Sequence, residues 1–439
     1  METPHEKKLH TLLVHLPVSE ESNDSVHQPY GLAVLSAFLK KNGCRVTLYD
    51  ANAHRHSVRH TLQHVVHLCP DILGLTVYSN QLFASLAFLR EIKKRLPSIV
   101  TVTGGPHPSS PEHRSLLANH PEVDFAVIGE GEETMLELIE RLQSGEDSFD
   151  DIRGIAFRSP IGTVSVTPPR PYIENLDALP FADWDSLPMD QYWAVSAEKK
   201  NFANVLFSRG CPYSCSFCAS KVALGQRVRR RSPDNIIEEI QLLYHHHDVR
   251  EICFNDATMN VDNQWVREIS QGLMELNLPD FVWGCNLRAN NVDPKTLQMM
   301  KQSGCTNVFM GIESGDDRML AAMGKGTNVA MIRQSLRMCD EAGIKVYCGF
   351  IFGMPGETED SLKRTLAFAK ELRRYSVAFS LATPFPGTEF YRTAQQEGFH
   401  IQDWTSFDYH GVTYVPAGLT KDTLLAYYNS TLLTYYTSI

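Results

Sequence analysis

Short β-branched runs alternate with amphipathic helical stretches along most of this 439-residue chain, and few architectures accept that order. LHTLLVHLP (9–17), RVTLYDA (45–51), DILGLTVYS (71–79), SIVTVTGG (98–105) and DFAVIGEG (124–131) read as strands. Helical segments lie between them, among them GLAVLSAFLKKNG (31–43), closed by Gly43, and SVRHTLQHVVHL (57–68). Strands separated by helices of about 10–15 residues predict a parallel sheet covered on both faces. The first of two such blocks therefore reads as a doubly wound α/β domain over residues 1–148, with its ligand at the carboxyl ends of the strands.

The texture changes over residues 149–200. RSPIGTVSVTPPRPYIENLDALPFADWDSLPMDQYW is rich in Pro and aromatic residues, with a hairpin signal at IGTV. It reads as a linker strapped across the surface, because it carries too many apolar anchors to stay solvated. From 201 to 396 the alternation resumes in larger units: ANVLFSRGC, REICFNDA, FVWGCNLRAN, NVFMGIESG, KVYCGFIFGMPG and SVAFSLATPFPG. Six βα units predict an open partial barrel, and parallel αβ barrels build their sites at the carboxyl ends of the strands. A helical tail, 397–439, closes the chain.

The charge balance bounds the partners. A net charge of −10 argues against nucleic-acid binding, which rests on clustered Lys and Arg. No apolar run reaches the roughly 18–20 residues of a membrane span, and METPHEKKLHTLLVHLP lacks a signal-peptide pattern. A reducing cytoplasm is the expected compartment, where ten cysteines stay as thiols and a tight cluster of them binds metal. The run Arg227, Arg229–Arg231 reads as a solvated loop or a contact to a substrate carboxylate. His245–His247 reads as a helix C-terminus, and Glu132–Glu133 as the acidic first turn of a helix.

SRGCPYSCSFCAS (208–220) places Cys211, Cys215 and Cys218 just after a strand and offers no fourth cysteine nearby. A closed zinc site needs four protein ligands, here drawn from Cys253, Cys285 or His245–His247. A cubane iron–sulfur cluster held by three thiolates keeps one iron open to a small molecule. Spacing leaves both readings standing.

Cys-x3-Cys-x-Phe-Cys, with Phe217 before Cys218, resembles the signature of the radical S-adenosylmethionine (radical SAM) superfamily. FNDATMN, NLRAN, MGIESG, FGMPGET and PFPGTEFY resemble the subgroup carrying an N-terminal cobalamin-binding domain, as does PHPSSPEHRSLLANHPEVDFAVIGEGEETMLELIERL. The likeness covers about residues 10–398 and implies a Rossmann-type cobalamin-binding-like domain joined to a (β/α)6 radical SAM barrel.

It also implies the cofactors. The amino and carboxylate groups of SAM take the open iron of a 4Fe-4S cluster, whose potential sits near the low end of the roughly −700 to +450 mV open to such centres. Phe217 is implied at the adenine edge, with simple packing equally compatible. Glu313 and Ser314 are implied for the ribose or the ammonium, Gly311 for close approach, Arg288 for the SAM carboxylate and Asp256 for a strand-end contact. Each is also a residue that caps a following helix in other proteins. Gly353, Pro355 and Gly356 make a turn before a helix capped near Thr358.

For cobalamin, the resemblance points to Asp-x-His-x-x-Gly after the second strand, where this chain has Asp50-Ala51-Asn52-Ala53-His54-Arg55. Asn52 stands in the histidine position, so no histidine coordination is expected from it, and His54 reads as an exposed loop residue. Thr76, Tyr78, Ser79, Gly104, Gly105, Gly129 and Glu130 lie at strand ends and complete the expected cobalamin set. The resemblance implies methylation of an unactivated carbon of a small or medium-sized metabolite, with a deoxyadenosyl radical taking the hydrogen and methylcobalamin giving the methyl group. Its alternative is radical cyclisation, dehydration or deoxygenation without methyl transfer. A colourless zinc or cofactor-binding module is the non-enzymatic alternative. An electron donor such as flavodoxin or ferredoxin is expected.

Overall fold

The computed structural model describes residues 8–17, 25–159, 161–401 and 403–436, so the first residues of the N-terminal reading and the last of the tail lie outside it. The chain forms two compact units, Met1–Asn201 with Val222–Leu224, and Phe202–Lys221 with Gly225–Ile439.

In the first unit β1 (His10–His15), β2 (Arg45–Asp50), β3 (Ile72–Thr76), β4 (Val100–Gly104), β5 (Phe125–Val127), β6 (Ile155–Arg158) and β7 (Val164–Val166) make one sheet in the order β2-β1-β3-β4-β5-β6-β7. The first five are mutually parallel, with His15 beside Asp50 and Leu13 beside Gly74. β6 and β7 are antiparallel additions. The helices between are α1 (Tyr30–Lys41), α2 (Val58–Leu68), α3 (Leu82–Arg95), α4 (His113–Asn119) and α5 (Glu132–Ser144). Leu12, Val14, Leu73 and Val102 fill the core because a parallel sheet is covered on both faces.

Residues 155–166 correct the reading of 149–200 as linker throughout, because the IGTV hairpin joins the sheet. The rest of that segment is a strap: Leu176, Trp184, Leu187 and Tyr192 are buried, and Asp183 accepts from Ser36 Oγ at 2.5 Å and Lys40 Nζ at 2.6 Å on α1.

In the second unit β8 (Phe202–Val205), β9 (Glu251–Phe254), β10 (Val282–Leu287), β11 (Cys305–Glu313), β12 (Lys345–Phe352) and β13 (Ser376–Leu381) form an open parallel sheet in chain order. Its helices are α6 (Pro233–His246), α7 (Asn263–Leu276), α8 (Pro294–Gln302), α9 (Asp317–Ala322), α10 (Val329–Ala342), α11 (Glu359–Glu371), α12 (Glu389–Gln396) and α13 (Lys421–Tyr436). On β11 Val308, Met310 and Ile312 are buried, whereas Asn307 and Phe309 on the other face are not, the alternation of a strand with one packed face.

Local chemistry sets the helix ends. Ser232 Oγ accepts from Asn235 N ahead of Pro233, and Thr358 and Ser361 form a reciprocal cap on α11. Helix α13 lies on α11, where Tyr427 Oη donates to Glu359 at 2.8 Å. The basic run needs correction. Arg229 and Arg231 are buried, Arg231 donates to Glu239 and to Asn235 Oδ1, and Arg230 pairs with Asp262 at 2.5 Å, so Arg230 and Arg231 tie the fold together, while Arg227 is exposed. Among the described residues no helix is long and apolar enough to cross a membrane.

Candidate active site

The chain leaves β8 into a short antiparallel pair, Ser208–Arg209 against Arg229–Arg230, and the cysteines sit on the loop between those strands. Gly210 opens that loop at φ +94°, and a Cβ there would lie 2.1 Å from the Arg227 carbonyl oxygen. No L side chain fits. The backbone then docks at both ends: Cys211 N donates to Gly225 O at 3.1 Å, Ser216 N to Met323 O at 2.9 Å, and Phe390 N to Ser216 O at 2.9 Å. Cys215 is buried and Cys211 and Cys218 are half-buried. All ten cysteines are free thiols.

The donor chemistry separates the two readings of the loop. Among the described residues no three His, Cys, Asp or Glu side chains converge on one metal ion. The reserves for a zinc site fit poorly: burial pushes the Cys253 thiol up to about 12 and the Cys285 thiol well above its ordinary value. A zinc ligand must be a thiolate, which these pockets oppose. His245 and His246 end helix α6, as the sequence reading has them. Three thiols on one ordered loop, with no fourth ligand among these reserves, fit an iron–sulfur cluster that leaves one iron to a small molecule.

Around the loop stand the carboxyl ends of the other strands. Arg288, just past β10, is 5% exposed. Its guanidinium lies over the Tyr213 ring at 3.9 Å, Nη1 donates to Cys215 Sγ at 3.3 Å, and Nε is buried with no hydrogen-bond partner. Glu313 ends β11 in the left-handed region, φ +66°, at a break in register with β12. It pairs with Lys325 at 2.6 Å, and both side chains are buried. A Cβ on Gly311 would lie 2.8 Å from Lys325 Nζ, so Gly311 makes room for this pair.

Other expected site residues turn inward. Asp256 is fully buried and accepts from Ser208 N and Ser208 Oγ, both at 2.5 Å; burial pushes its carboxyl up to about 6. It shapes the entry to the cysteine loop. Ser314 bonds Thr365 on α11 at 3.0 Å and is completely buried, so its hydroxyl serves packing. Phe217 packs on the cluster of Met319, Met323, Met354 and Phe390, which matches the packing role considered for it. Glu357 caps Gly353 N at 2.6 Å, and burial pushes its carboxyl up to about 7.

The first unit presents its own set. Asp50 is buried, and its two oxygens accept from His15 Nδ1, Asn52 N, Ala53 N and Tyr192 Oη at 2.8–3.2 Å. Its carboxylate thus holds the 51–55 turn, which corrects its reading as a direct ligand contact. Asn52 is half-buried on that turn, and His54 is exposed and stacked with Tyr49 and His56. Gly105, φ +92°, passes so close to β3 that a Cβ would lie 2.6 Å from Thr76 Oγ1. Gly104 precedes it at the end of β4. Tyr78 is 46% exposed, whereas Ser79 is buried with its Oγ 3.1 Å from His107 Nδ1. Burial lowers the His107 imidazole to about 4 and keeps it neutral. Glu130 turns back to accept from Ile173 N at 2.7 Å. At Gly129 a Cβ would meet nothing within 4 Å, so open space lies beside that backbone. Glycine turns beside an exposed aromatic ring suit a broad, flat ligand.

Two family models match the chain: the Radical SAM superfamily over residues 205–369 and the B12 binding domain over 22–139. A protein of Pyrococcus horikoshii named an uncharacterized methyltransferase is 32% identical over 392 residues, covering 88% of this chain and 83% of that one. This chain belongs to the radical SAM superfamily. It joins that domain to a B12 binding domain. The anaerobic magnesium-protoporphyrin IX monomethyl ester cyclase of Rubrivivax gelatinosus is 29% identical over 390 residues, 88% of this chain and 69% of that one. The radical SAM methyltransferase TsrM of Kitasatospora setae, solved with cobalamin and a [4Fe-4S] cluster, has a TM-score of 0.77 at 18% identity, covering 97% of this chain and 91% of that one; the likeness is one of fold.

In this radical SAM enzyme the structure sets Arg288 against Cys215 and Glu313 against Lys325 over Gly311, and turns Asp50, Asp256 and Ser314 into supporting roles. Sequence reasoning missed Lys325, Tyr213, Asn260 and His107. The last had a signal in the GGPHP turn after β4.

Proposed function

We propose that this radical SAM enzyme is a cobalamin-dependent methyltransferase acting on an unactivated carbon of a small or medium-sized metabolite. The observation that carries the reading is the pairing of a three-thiol loop, faced by the under-satisfied Arg288 cation, with a separate B12 binding domain. When bound, the 4Fe-4S cluster supplies the electron that cleaves SAM, and cobalamin supplies the methyl carrier. Cys211, Cys215 and Cys218 hold the cluster. Arg288 binds the SAM carboxylate through its unused Nε donor, a charge-assisted bond. Glu313, held by Lys325, presents its remaining oxygen toward the ribose or ammonium. Tyr78, Gly104, Gly105 and Gly129 line the cobalamin face, while Asp50, His107 and Glu130 hold the turns beneath it. Each turnover consumes two SAM and two electrons, and yields the methylated product, S-adenosylhomocysteine, methionine and 5′-deoxyadenosine. Flavodoxin or ferredoxin suits the electron supply, and the ten free thiols suit a reducing cytoplasm.

The cyclase relative keeps a second reading in view, radical rearrangement without methyl transfer. The test is anaerobic purification with cobalamin, metal and sulfide analysis, and turnover with methyl-deuterated SAM and candidate metabolites. About four irons and one cobalt per chain with a trideuteromethyl product are expected. Four irons with 5′-deoxyadenosine but no label in product would replace methylation by the second reading, and zinc without iron would overturn both.

A further inference from the structure

Arg288 reaches the cysteine loop from a place where its own strand has ended. The ladder between β10 and β11 stops at Leu287 with Met310, so the backbone of residue 288 has lost its strand neighbour on that side. A side chain takes the neighbour's place. The Asn260 carboxamide accepts the Arg288 N–H at 2.8 Å through Oδ1 and donates to the Arg288 carbonyl at 2.9 Å through Nδ2. Asn260 is 2% exposed, and its own carbonyl accepts from Asn291 Nδ2. The short turn Met259–Val261, which follows FNDAT, is thereby riveted to both sides of the Arg288 turn. Tyr213, from the cysteine loop itself, supports the guanidinium face at 3.9 Å.

We infer that Asn260 is a positioning residue that aims Arg288 at Cys215 and thereby sets the reduction potential of the cluster. The inference rests on the reading of Cys215 as a cluster ligand. A guanidinium donor on a ligating sulfur favours the more negative, reduced state, and hydrogen bonds to sulfur are among the factors that set such potentials. Arg288 contributes this only while its Nη1 stays near the 3.3 Å seen here. A carboxamide gripping both backbone groups fixes the origin of a long side chain that otherwise has many rotamers. Tyr213 limits it from the other end.

The test is a redox titration of the reconstituted protein without SAM, following the reduced-cluster EPR signal, for wild type, Asn260→Ala, Asn260→Asp, Arg288→Gln and Tyr213→Leu. Arg288→Gln should lower the reduced-to-oxidised ratio at fixed potential about tenfold, which is about 59 mV for a one-electron couple. Asn260→Ala and Tyr213→Leu should shift it in the same direction by a smaller factor. Asn260→Asp, which sets a carboxylate oxygen against the Arg288 carbonyl, should shift it at least as far as Asn260→Ala. A lowered melting temperature in Asn260→Ala with an unmoved potential would overturn the inference and leave Asn260 merely structural. If that variant fails to fold, Asn260→Asp decides by the same criterion. A wild-type protein that takes up no iron fails at the functional reading; a normal wild-type cluster with unmoved variants fails here alone.

Discussion

Lys325→Met tests the strand-end arrangement most sharply. Lys325 Nζ and Glu313 Oε1 lie 2.6 Å apart, with side chains 8% and 10% exposed. Removing the ammonium leaves a buried carboxylate without its partner, which in comparable sites costs about 3–5 kcal/mol. The carboxylate has little freedom to turn toward water. Glu313 is pinned at φ +66°, and the space over Gly311 is narrow, a Cβ there lying 2.2 Å from Glu313 Oε1. The upper half of that range is therefore expected. Replacing both partners, as in Lys325→Met with Glu313→Gln, removes the stranded charge and should recover most of the loss, giving a coupling of about 2–4 kcal/mol. Urea unfolding of the metal-free protein, with hydrogen exchange read over residues 305–313, measures all four members of the cycle. A Lys325→Met cost under about 1 kcal/mol, or a double variant as unstable as the sum of the singles, would refute the reasoning.

Gly210→Ala should reduce iron uptake as well as stability. Left-handed backbone costs an alanine about 1–3 kcal/mol, and the Arg227 carbonyl must also move, so near-normal iron per chain would sink this account of the loop. Glu357 has a carboxyl raised to about 7 by burial, against an ordinary 4.5. Between those values the folded chain holds a proton that the unfolded chain has lost, so its contribution is full below pH 4.5 and is lost as pH rises through 7. Glu357→Gln should flatten that decline in the denaturation midpoint; an unchanged slope from pH 4.5 to 7.5 would count against it.

Much of the architecture was visible in the alternation of LHTLLVHLP, RVTLYDA and their successors with helical runs, because a parallel sheet leaves few choices for what lies between strands. The hairpin of β6 and β7 was harder to place: its strands are only four and three residues long, and Pro-rich sequence follows. The arginine run misled because a charge cluster in an acidic chain looks solvated, whereas its partners Glu239 and Asp262 arrive from α6 and the cap of α7. Asp50 and Asp256 occupy strand ends, where ligands bind, yet their hydrogen bonds go to the protein. Sequence position fixes where a side chain starts; which partner it meets depends on long-range closure. Lys325 shows the same limit, since its link to Glu313 runs through helix α9.

One asymmetry in the second unit points to the ligand. Asp256 is occupied by the Ser208 turn, Asp316 by Arg364, Glu357 by Gly353 and Glu313 by Lys325. Arg288 Nε, like the Nε of Arg229, is buried with no hydrogen-bond partner, and Arg288 also touches Cys215. Leaving a charged donor unmet in a dry site is costly, and the deficit closes when an anion arrives. An anionic group on a small molecule bound beside the cysteines, such as the SAM carboxylate, would close it. Charge-assisted hydrogen bonds contribute about 1.5–3 kcal/mol, so losing the Arg288 donor should weaken SAM binding to the loaded enzyme about 10–150-fold. Decarboxylated SAM, which has no carboxylate for the iron or for Arg288, should bind weakly whether or not that donor is present. Arg288→Lys keeps the charge and loses the directed Nε donor, so it should weaken SAM by most of that factor and decarboxylated SAM far less. Equilibrium binding of the two ligands to both proteins decides the matter. An Arg288→Lys variant that weakens SAM and decarboxylated SAM by the same factor would move the carboxylate away from Arg288 and leave that cation to the cluster alone.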